Sequence, residues 1–398
     1  MVSASPLTPH TSVRLKALPP LSLYIHIPWC VRKCPYCDFN SHEARSTAPE
    51  QDYIAALTAD LEAALPLIWG RKIYTIFFGG GTPSVFSADS IERILSAVRA
   101  RVPLSLDAEI TLEANPGTFE SEKFRAFRAA GVNRLSIGIQ SFNAAHLKAL
   151  GRIHDDGEAR AAIAIAREHF DNFNLDLMYG LPGQSASEAL ADVETAVTFA
   201  PPHLSVYHLT LEPNTYFHRY PPQLPDDDVT AQMQEALEAR LAAAGYRHYE
   251  TSAFALPGRR ARHNMNYWTF ADYLGIGAGA HSKLSFPDRI IRQMRFRQPV
   301  QYMERVGSGN AVQEEHEVPA SDIGFEFMMN ALRLTNGFPL VLFEERAGIP
   351  LTAVLKELDE AERRGLITRD HQRVTPTALG RRFLNDLLQI FLRDETPA

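Results

Sequence analysis

The three cysteines of this chain, Cys30, Cys34 and Cys37, lie within eight positions in the segment HIPWCVRKCPYCDF, residues 26–39. Thiolates are soft ligands that bind zinc, copper(I) and iron–sulfur clusters. The spacing C-x3-C-x2-C matches three corners of a [4Fe–4S] cube and leaves the fourth iron without a protein thiolate. That iron would be open to chelation by a small molecule.

Two other interpretations of the cysteines stay open at this point. A zinc site usually has four ligands, and His26 or His42 could complete a Cys3His set. The three cysteines could instead be unrelated buried residues, although their close spacing disfavours this. Because an odd number of clustered cysteines suits a disulfide framework poorly, we expect a reducing compartment, most simply the cytoplasm.

Composition and charge narrow the class of protein. The 398 residues are 45% hydrophobic and 22% charged, as in an ordinary globular protein, with a net charge of −7. A negative chain has no overall field that attracts nucleic acid or an anionic membrane. No apolar run reaches the roughly 18–20 residues that span a bilayer. Residues 1–20 are broken by prolines and lack an apolar stretch, so we expect a flexible leader and not a signal peptide.

Apolar runs rich in β-branched and aromatic residues alternate with helical periodicity over residues 21–225. The predicted strands are LSLYIHIPW (21–29), IYTIFF (73–78), AEITLEA (108–114), RLSIGIQ (134–140), FNLDLMYG (173–180) and HLSVYHLTL (203–211). The predicted helices between them include residues 52–65, 87–102 and 121–131. This alternation indicates βα units around a parallel sheet. Spacing alone does not distinguish a barrel from a doubly wound sheet.

Polar residues lie near the end of, or just after, each predicted strand. They are Cys30, the segment GGGTP (79–83), Glu113, Asn115, Gln140, Asp176, His208 and Glu212. In barrels the carboxyl ends of the strands converge on one face, where active sites lie. We therefore expect these residues to form the site.

The pattern changes after residue 225. Residues 226–246 predict a helix with an acidic start, and residues 259–283 are aromatic, glycine-rich and interpreted as loop. The segment GIGAGA (275–280) lacks the strand–helix context of a dinucleotide-binding loop. Residues 226–320 would complete and connect the barrel. Residues 321–398 predict three helices, a hairpin and a last helix, a winged-helix-like domain with 12 acidic and 10 basic residues. That balance disfavours DNA binding and favours a lid or partner-docking role.

Several motifs together resemble the oxygen-independent coproporphyrinogen oxidase family of radical S-adenosylmethionine (SAM) proteins. They are YIHIPWC, GGGTPS, LEANP, SIGIQSF, LDLMYGLPGQ and HNMNYW. The resemblance implies an α/β fold, a partial (β/α)6 barrel with a small C-terminal winged-helix-like domain. It also implies a [4Fe–4S] cluster that passes an electron to SAM, chemistry that belongs to the cofactors.

The resemblance assigns roles residue by residue. Cys30, Cys34 and Cys37 would hold the cluster. The positions implied to contact SAM are Tyr24, Tyr36, Gly80, Gly81, Thr82, Glu113, Gln140, Arg152 and Asp176. Glycines suit such a place, because a missing Cβ lets a ligand approach the backbone. Glu113 would bind the amine or the ribose of SAM.

Two features of the sequence distinguish between the branches of this family. Oxidase members carry a fourth cysteine where this chain has Phe39, and they have a longer extension before Tyr24. Both departures weigh against coproporphyrinogen oxidase activity, which is the alternative function. HNMNYW (263–268) is similar to the HNxxYW signature of the heme chaperone branch, which binds heme and passes it to acceptor proteins.

That branch implies a heme site built around the motif. His263 is a sensible axial ligand, because imidazole suits heme iron. Tyr267 and Trp268 would stack on the macrocycle, and the arginines Arg259, Arg260 and Arg262 would pair with its propionates. A solvated loop histidine remains the alternative for His263. The implied acceptors include respiratory or membrane-associated proteins. A homodimer is left open, and a regulatory role of the winged-helix-like domain is a third hypothesis.

Overall fold

The computed structural model describes residues 12–44, 48–118 and 121–392. Its strands are β1 (Leu21–Ile27), β2 (Trp29–Cys30), β3 (His42–Glu43), β4 (Ile73–Gly80), β5 (Leu104–Ala114), β6 (Arg134–Gln140), β7 (Phe173–Tyr179), β8 (His203–His208), β9 (Arg247–Glu250), β10 (Ala253–Ala255), β11 (Asp272–Ile276), β12 (His281–Ser285), β13 (Ile290–Arg295), β14 (Val312–Glu317), β15 (Phe338–Pro339), β16 (Ile367–Arg369) and β17 (Arg373–Pro376).

The helices alternate with these strands in the first half of the chain and dominate its last part. They are α1 (Glu50–Ala64), α2 (Ala88–Arg99), α3 (Ser121–Ala130), α4 (Ala144–Ala149), α5 (Asp156–His169), α6 (Ala186–Thr198), α7 (Tyr216–Arg219), α8 (Asp227–Ala243), α9 (Arg262–Trp268), α10 (Pro299–Gly307), α11 (Ala320–Ala331), α12 (Leu340–Ala347), α13 (Leu355–Arg363), α14 (Ala378–Arg382) and α15 (Leu384–Gln389).

Six strands form a parallel array in chain order, β1-β4-β5-β6-β7-β8, at the centre of a larger sheet. Strand β11 adds to the β1 edge in parallel, and β12, β13 and β14 continue that edge antiparallel. Strands β10 and β9 extend the β8 edge antiparallel. The expectation of a partial (β/α)6 barrel is confirmed, and the sheet is left open.

Helices cover the outer face of this array because their apolar sides match it. Tyr53, Leu57 and Leu61 of α1 are at most 1% exposed and belong to the main core. Several helix starts are fixed by side-chain caps, since Asp155 with Glu158 and Ser185 with Glu188 form capping boxes. The caps fix the residues at which these two helices begin. The carboxyl ends of the parallel strands remain uncovered on one face.

The loop predicted over residues 259–283 is wrong. The segment contains helix α9 and strands β11 and β12. Helix α9 packs against β1, β4, β11 and α11. Only His263 of its seven residues is buried, residues 264–268 are half-buried and Arg262 is exposed, so no one-sided apolar pattern marks the helix. Its sequence therefore resembled an irregular segment.

The C-terminal part confirms the winged-helix-like arrangement. Helices α11, α12 and α13 precede the hairpin β16–β17, which pairs with β15 in a small sheet. A second hydrophobic core, distinct from that of the barrel, lies inside this domain. The last predicted helix is present as two short helices, α14 and α15.

Part of the segment interpreted as a flexible leader is packed. Residues 1–11 lie outside the described residues, whereas Val13 and Leu15 are 6% and 8% exposed and join the C-terminal core. The Arg14 N–H donates to the Gly348 carbonyl at 2.7 Å. Residues 12–20 therefore connect the C-terminal domain to the start of β1.

Candidate functional site

A cavity of about 340 Å³ lies at the carboxyl ends of the parallel strands, and we call it the thiol cavity. The cysteine loop follows β1 and forms one wall, while the ends of β4 to β8 form the rest. Its lining brings together the predicted residues Cys30, Cys34, Cys37, Tyr36, Gly80, Gly81, Thr82, Glu113, Gln140, Arg152 and Asp176. These side chains come from separate segments of the chain, so the barrel topology is what places them side by side.

The three thiols differ in their surroundings. Cys30 is buried, and Cys34 and Cys37 are partly exposed. Burial raises the pKa of Cys30 to about 11, and it also raises the pKa of Cys37. Arg152 Nη1 lies 3.6 Å from Cys34 Sγ, and Cys37 Sγ lies 3.6 Å from Ser41 Oγ. Without a metal, Cys30 and Cys37 keep their protons at neutral pH, and metal binding would displace those protons.

The arrangement fits a cluster better than a single zinc ion. Within residues 12–44, 48–118 and 121–392, no three His, Cys, Asp or Glu side chains converge closely enough to bind one metal ion. His26 is occupied elsewhere, because its Nδ1 lies 3.1 Å from Tyr24 Oη and its Nε2 lies 2.9 Å from the Asn40 carbonyl. All three thiols line the same cavity, and three cysteines of one loop suit three corners of a cubane.

The glycines at the end of β4 fit against the cysteine loop itself. A Cβ on Gly81 would lie 2.5 Å from the Trp29 carbonyl oxygen, and one on Gly80 would lie 2.5 Å from the His26 ring. Gly80 also has φ of +115°, a conformation that side chains disfavour. These glycines are thus required for close packing of β4 beneath the loop. Their backbone still lines the cavity, as the resemblance implies.

Two carboxylates, Glu113 and Asp176, line the opposite wall. Burial, together with the charge of Asp176, raises the pKa of Glu113 to about 8, although a backbone hydrogen bond from Gly80 opposes the shift. Burial also raises the pKa of Asp176, which accepts hydrogen bonds from Ser136 Oγ at 2.9 Å and Asn174 Nδ2 at 2.7 Å. A cationic ligand between them would relieve their repulsion.

Arg152 supplies positive charge on the side of the thiols. Its Nη2 donates to the Gly138 carbonyl at 2.8 Å and to Asn115 Oδ1, while its buried Nε has no partner among the described residues. Gln140 holds a φ of +67° at the end of β6, which turns the chain at the cavity wall. Asn115 also donates to Thr82 Oγ1 at 3.1 Å. These hydrogen bonds connect the carboxyl ends of β4, β5 and β6.

The charges of this cavity fit SAM beside a cluster. SAM carries a sulfonium, an amine and a carboxylate, and the cavity offers the acidic pair, Arg152 and the backbone at Gly80 and Gly81. The cluster, when bound, supplies an electron to SAM. The protein residues bind and orient the ligand. The raised pKa values of Glu113, Cys30 and Cys37 reflect the burial of these groups in a site that suits charged cofactors.

Tyr24 and His263 are not brought into the thiol cavity. Tyr24 lies on β1 with its ring 6.3 Å from that of Phe77. His263 is 1% exposed, with Nδ1 2.8 Å from Thr75 Oγ1 and Nε2 2.9 Å from Tyr267 Oη. Burial lowers the pKa of His263 to about 3. With both ring nitrogens hydrogen-bonded inside the barrel, His263 has no free lone pair for a heme iron in this arrangement.

A second cavity, of about 630 Å³, adjoins the first, and we call it the aromatic cavity. Its lining includes Tyr24, Tyr267, Trp268 and Tyr273, and it shares Asp38 and Phe39 with the thiol cavity. Phe39 is 62% exposed. Tyr267 and Trp268 therefore do line a space large enough for a sizeable ligand.

The arginines before the motif lie away from this cavity. Arg262 pairs with Asp107 at 3.2 Å, and the Arg260 guanidinium lies 5.5 Å from the Tyr249 ring centroid. None of Arg259, Arg260 and Arg262 is among the residues that line the aromatic cavity. Their assignment to heme propionates is not supported by this geometry.

Matches to family models cover most of the chain. The model of the radical SAM superfamily matches residues 24–196, and the model of the HemN C-terminal domain matches residues 318–383. The chain is 50% identical to the heme chaperone HemW of Escherichia coli over 379 residues, which is 95% of this chain and 99% of that protein. It is 34% identical to HemW of Bacillus subtilis, over 93% and 99% of the two chains. The chain belongs to the HemW family.

A solved structure supports the fold of this HemW-family chain. Coproporphyrinogen III oxidase, HemN, of Escherichia coli, described as a radical SAM enzyme, superposes with a TM-score of 0.81 at 26% identity. The match covers 94% of this chain and 90% of HemN. The resemblance read from the motifs is thereby confirmed at the level of family and fold.

Sequence reasoning missed residues on the inner face of the HemW-family barrel. Ser136, Gly138, Met178 and Tyr207 also line the thiol cavity. Ser136 and Gly138 precede Gln140 on β6 and Met178 follows Asp176 on β7, whereas Tyr207 on β8 has no predicted site residue two positions away. Because side chains of a strand alternate between faces, each predicted site residue marks its i−2 or i+2 neighbour as inward-facing. That period of two was the available signal.

Proposed function

We propose that this chain is a heme chaperone, which binds heme and passes it to acceptor proteins while carrying a [4Fe–4S] cluster and SAM. The observation that carries the proposal is the 50% identity, over nearly the full length, to a protein named heme chaperone HemW. The two adjoining cavities support it, because they give the small cofactors and a larger ligand separate places.

In this proposal Cys30, Cys34 and Cys37 would hold the cluster, which would supply an electron to SAM bound beside it. Glu113 and Asp176 bind the cationic part of SAM, and Arg152 lies near its carboxylate or the cluster. Gly80, Gly81 and Thr82 present backbone and hydroxyl groups, and Tyr36 and Gln140 complete the walls. Tyr24 does not line the thiol cavity, so its contribution is indirect, through the hydrogen bond between its hydroxyl and His26.

Oxidation of coproporphyrinogen is not proposed. Phe39 occupies the place of the fourth cysteine of the oxidases, and the identity to HemN is only 26%. The three free thiols favour a reducing compartment, and we propose the cytoplasm. Among the described helices, not one combines the length and the apolar character needed to cross a membrane.

The proposal is tested with full-length protein reconstituted anaerobically with iron and sulfide. We expect the electron paramagnetic resonance signal of a reduced [4Fe–4S] cluster, altered by SAM, and a Soret band when heme is titrated. Heme should then move to an added apo-hemoprotein. Replacing all three cysteines by alanine is the control that removes the cluster signal. Absence of a Soret band, or turnover of coproporphyrinogen III with SAM and a reductant, would overturn the proposal.

A further inference from the structure

The aromatic cavity lies on one continuous face of the sheet beside the cluster loop. Strands β1, β11, β12 and β13 present Tyr24, Tyr273, His281 and Met294 to it. Residues Tyr267 and Trp268 of α9 and Met329 of α11 close the other side. The space is therefore a slot with aromatic and thioether walls, which suits a flat apolar macrocycle.

His281 is an available metal ligand in this cavity. Its side chain is exposed and has no hydrogen-bond partner among the residues that the structure describes. It faces Met294 directly across the antiparallel pair β12–β13, so both side chains stand on the cavity face. Burial, followed by the charges of Arg292 and Arg297, lowers the pKa of His281, which favours the neutral imidazole that binds iron.

His263 contrasts with His281 in each of these respects. Its two nitrogens are engaged by Thr75 and Tyr267, and it is not among the residues that line the cavity. The His263 Nε2 lies 2.9 Å from the Tyr267 hydroxyl, and Tyr267 lines the aromatic cavity. His263 is thus placed to position an aromatic wall.

The cavity also offers partners for carboxylates. Arg297 lines it and forms no ion pair among the described residues, whereas Arg292 is already paired with Glu326 at 2.7 Å. The Trp268 Nε1 is buried without an acceptor in the described part of the chain. An arginine and an unmet N–H donor beside an apolar slot match a macrocycle that carries acidic side chains.

We propose that heme binds in the aromatic cavity with His281 as its axial iron ligand, Arg297 beside a propionate and Phe39 at the edge nearest the cluster. This inference rests on the proposed function, since it assigns the place of the heme that the chaperone carries. His263 is then a positioning residue that acts through Tyr267.

The test is a heme titration of the full-length, cluster-loaded protein and its variants, followed by resonance Raman and electron paramagnetic resonance of the bound iron. His281→Ala should weaken heme binding by roughly tenfold or more, since even groups that only orient metal ligands contribute this much. It should also lose the signature of an imidazole ligand, and added imidazole should restore it. His263→Ala should keep that signature, and His371→Ala, in the exposed hairpin, should match the wild type.

Arg297→Gln provides a second, independent measurement. It should weaken binding of heme but leave binding of heme dimethyl ester unchanged, because the ester has no propionate charge. The response of the cluster signal to SAM should be the same in every variant, which shows that the barrel is intact.

The proposal is overturned if His281→Ala keeps wild-type affinity and spectrum, or if His263→Ala alone loses the imidazole signature. In either case heme still binds, and the chaperone function stands. If the wild-type protein binds no heme, the proposed function fails and this inference fails with it.

Discussion

Glu113 and Asp176 line the same wall of the thiol cavity. The pKa of Glu113 is about 8, above its ordinary value of 4.5, mainly because of burial. Between these two pH values the folded chain holds a proton that the unfolded chain has lost. Stability therefore falls as pH rises through this window. A cation bound at Glu113 would favour its charged form and reverse the effect.

We predict that Glu113→Gln stabilises the cofactor-free chain and weakens SAM binding. The gain in the free energy of unfolding should be clearly larger at pH 8 than at pH 5, because the wild type loses stability as pH rises between these values. Thermal melts at both pH values and SAM titrations of the cluster-loaded protein check this. Glu92→Gln, on the exposed face of α2, is the control. A variant less stable than wild type at pH 8 would show that Glu113 is a structural carboxylate.

At the scale of residues, motif positions predicted which side chains line the thiol cavity, but they did not predict the surroundings of His263. Cys30, Glu113 and Asp176 lie on or after strands, so their convergence follows from the topology of parallel βα units. His263 also stands in a motif, but its burial and its contact with Thr75, 188 positions earlier, depend on tertiary packing. No local pattern separates a buried histidine from an exposed one. His281, the free imidazole, stands in no motif that we interpreted.

The turn from β4 into the cysteine loop depends on the absence of side chains. The Gly81 N–H donates to the Ile27 carbonyl at 2.8 Å, and the Thr82 N–H donates to the Trp29 carbonyl at 2.8 Å. These bonds bring the end of β4 against the strand that delivers Cys30. The missing Cβ of Gly81 thus determines where the first thiol lies.

We predict that Gly81→Ala lowers both stability and iron content. The added Cβ would lie 2.5 Å from a backbone oxygen, so the loop must move, at a cost of about 1–3 kcal/mol. Chemical denaturation and iron analysis after reconstitution measure the two effects. Gly307→Ala, at the end of α10 where a Cβ meets nothing within 4 Å, should retain wild-type iron content. Full cluster loading in Gly81→Ala would show that the loop tolerates displacement.

At the scale of elements, long periodic segments were predictable and short enclosed ones were not. Helix α1 was expected at residues 52–65 and spans Glu50–Ala64, because its apolar face repeats along four turns. Helix α9 has seven residues, and its polar groups bind partners inside the protein, such as Glu109 with the N–H groups of Arg262 and His263. Its existence depends on the barrel around it, so the sequence alone suggested a loop.

The whole molecule is held together partly by residues 12–20. Val13 and Leu15 belong to the C-terminal core, and the Leu15 N–H donates to the Pro287 carbonyl at 2.9 Å. Since this segment runs directly into β1, the strand that leads to Cys30, it joins the two hydrophobic cores through the backbone. Composition predicted a leader here because two buried residues, Val13 and Leu15, are too few to form a recognisable pattern.

We predict that Val13→Asp loosens the C-terminal domain more than the barrel. Burying a carboxylate in an apolar core without a partner should cost about 2 kcal/mol or more. Hydrogen–deuterium exchange should increase in α11 to α13 and remain unchanged in α1 to α3. Ser12→Asp, one residue earlier and exposed, is the matched control. Equal exchange in Val13→Asp and wild type would show that the segment is not needed to hold the domain.

Asp38 and Phe39 form a wall with a cavity on each side. Any displacement of this two-residue wall by a ligand in one cavity changes the shape of the other. If SAM occupies the thiol cavity and heme the aromatic cavity, as we propose, thermodynamic linkage makes the effect mutual: the factor by which SAM alters heme affinity must equal the factor by which heme alters SAM affinity. In the proposed arrangement, occupation of the cofactor site would therefore shift the balance between holding and releasing heme.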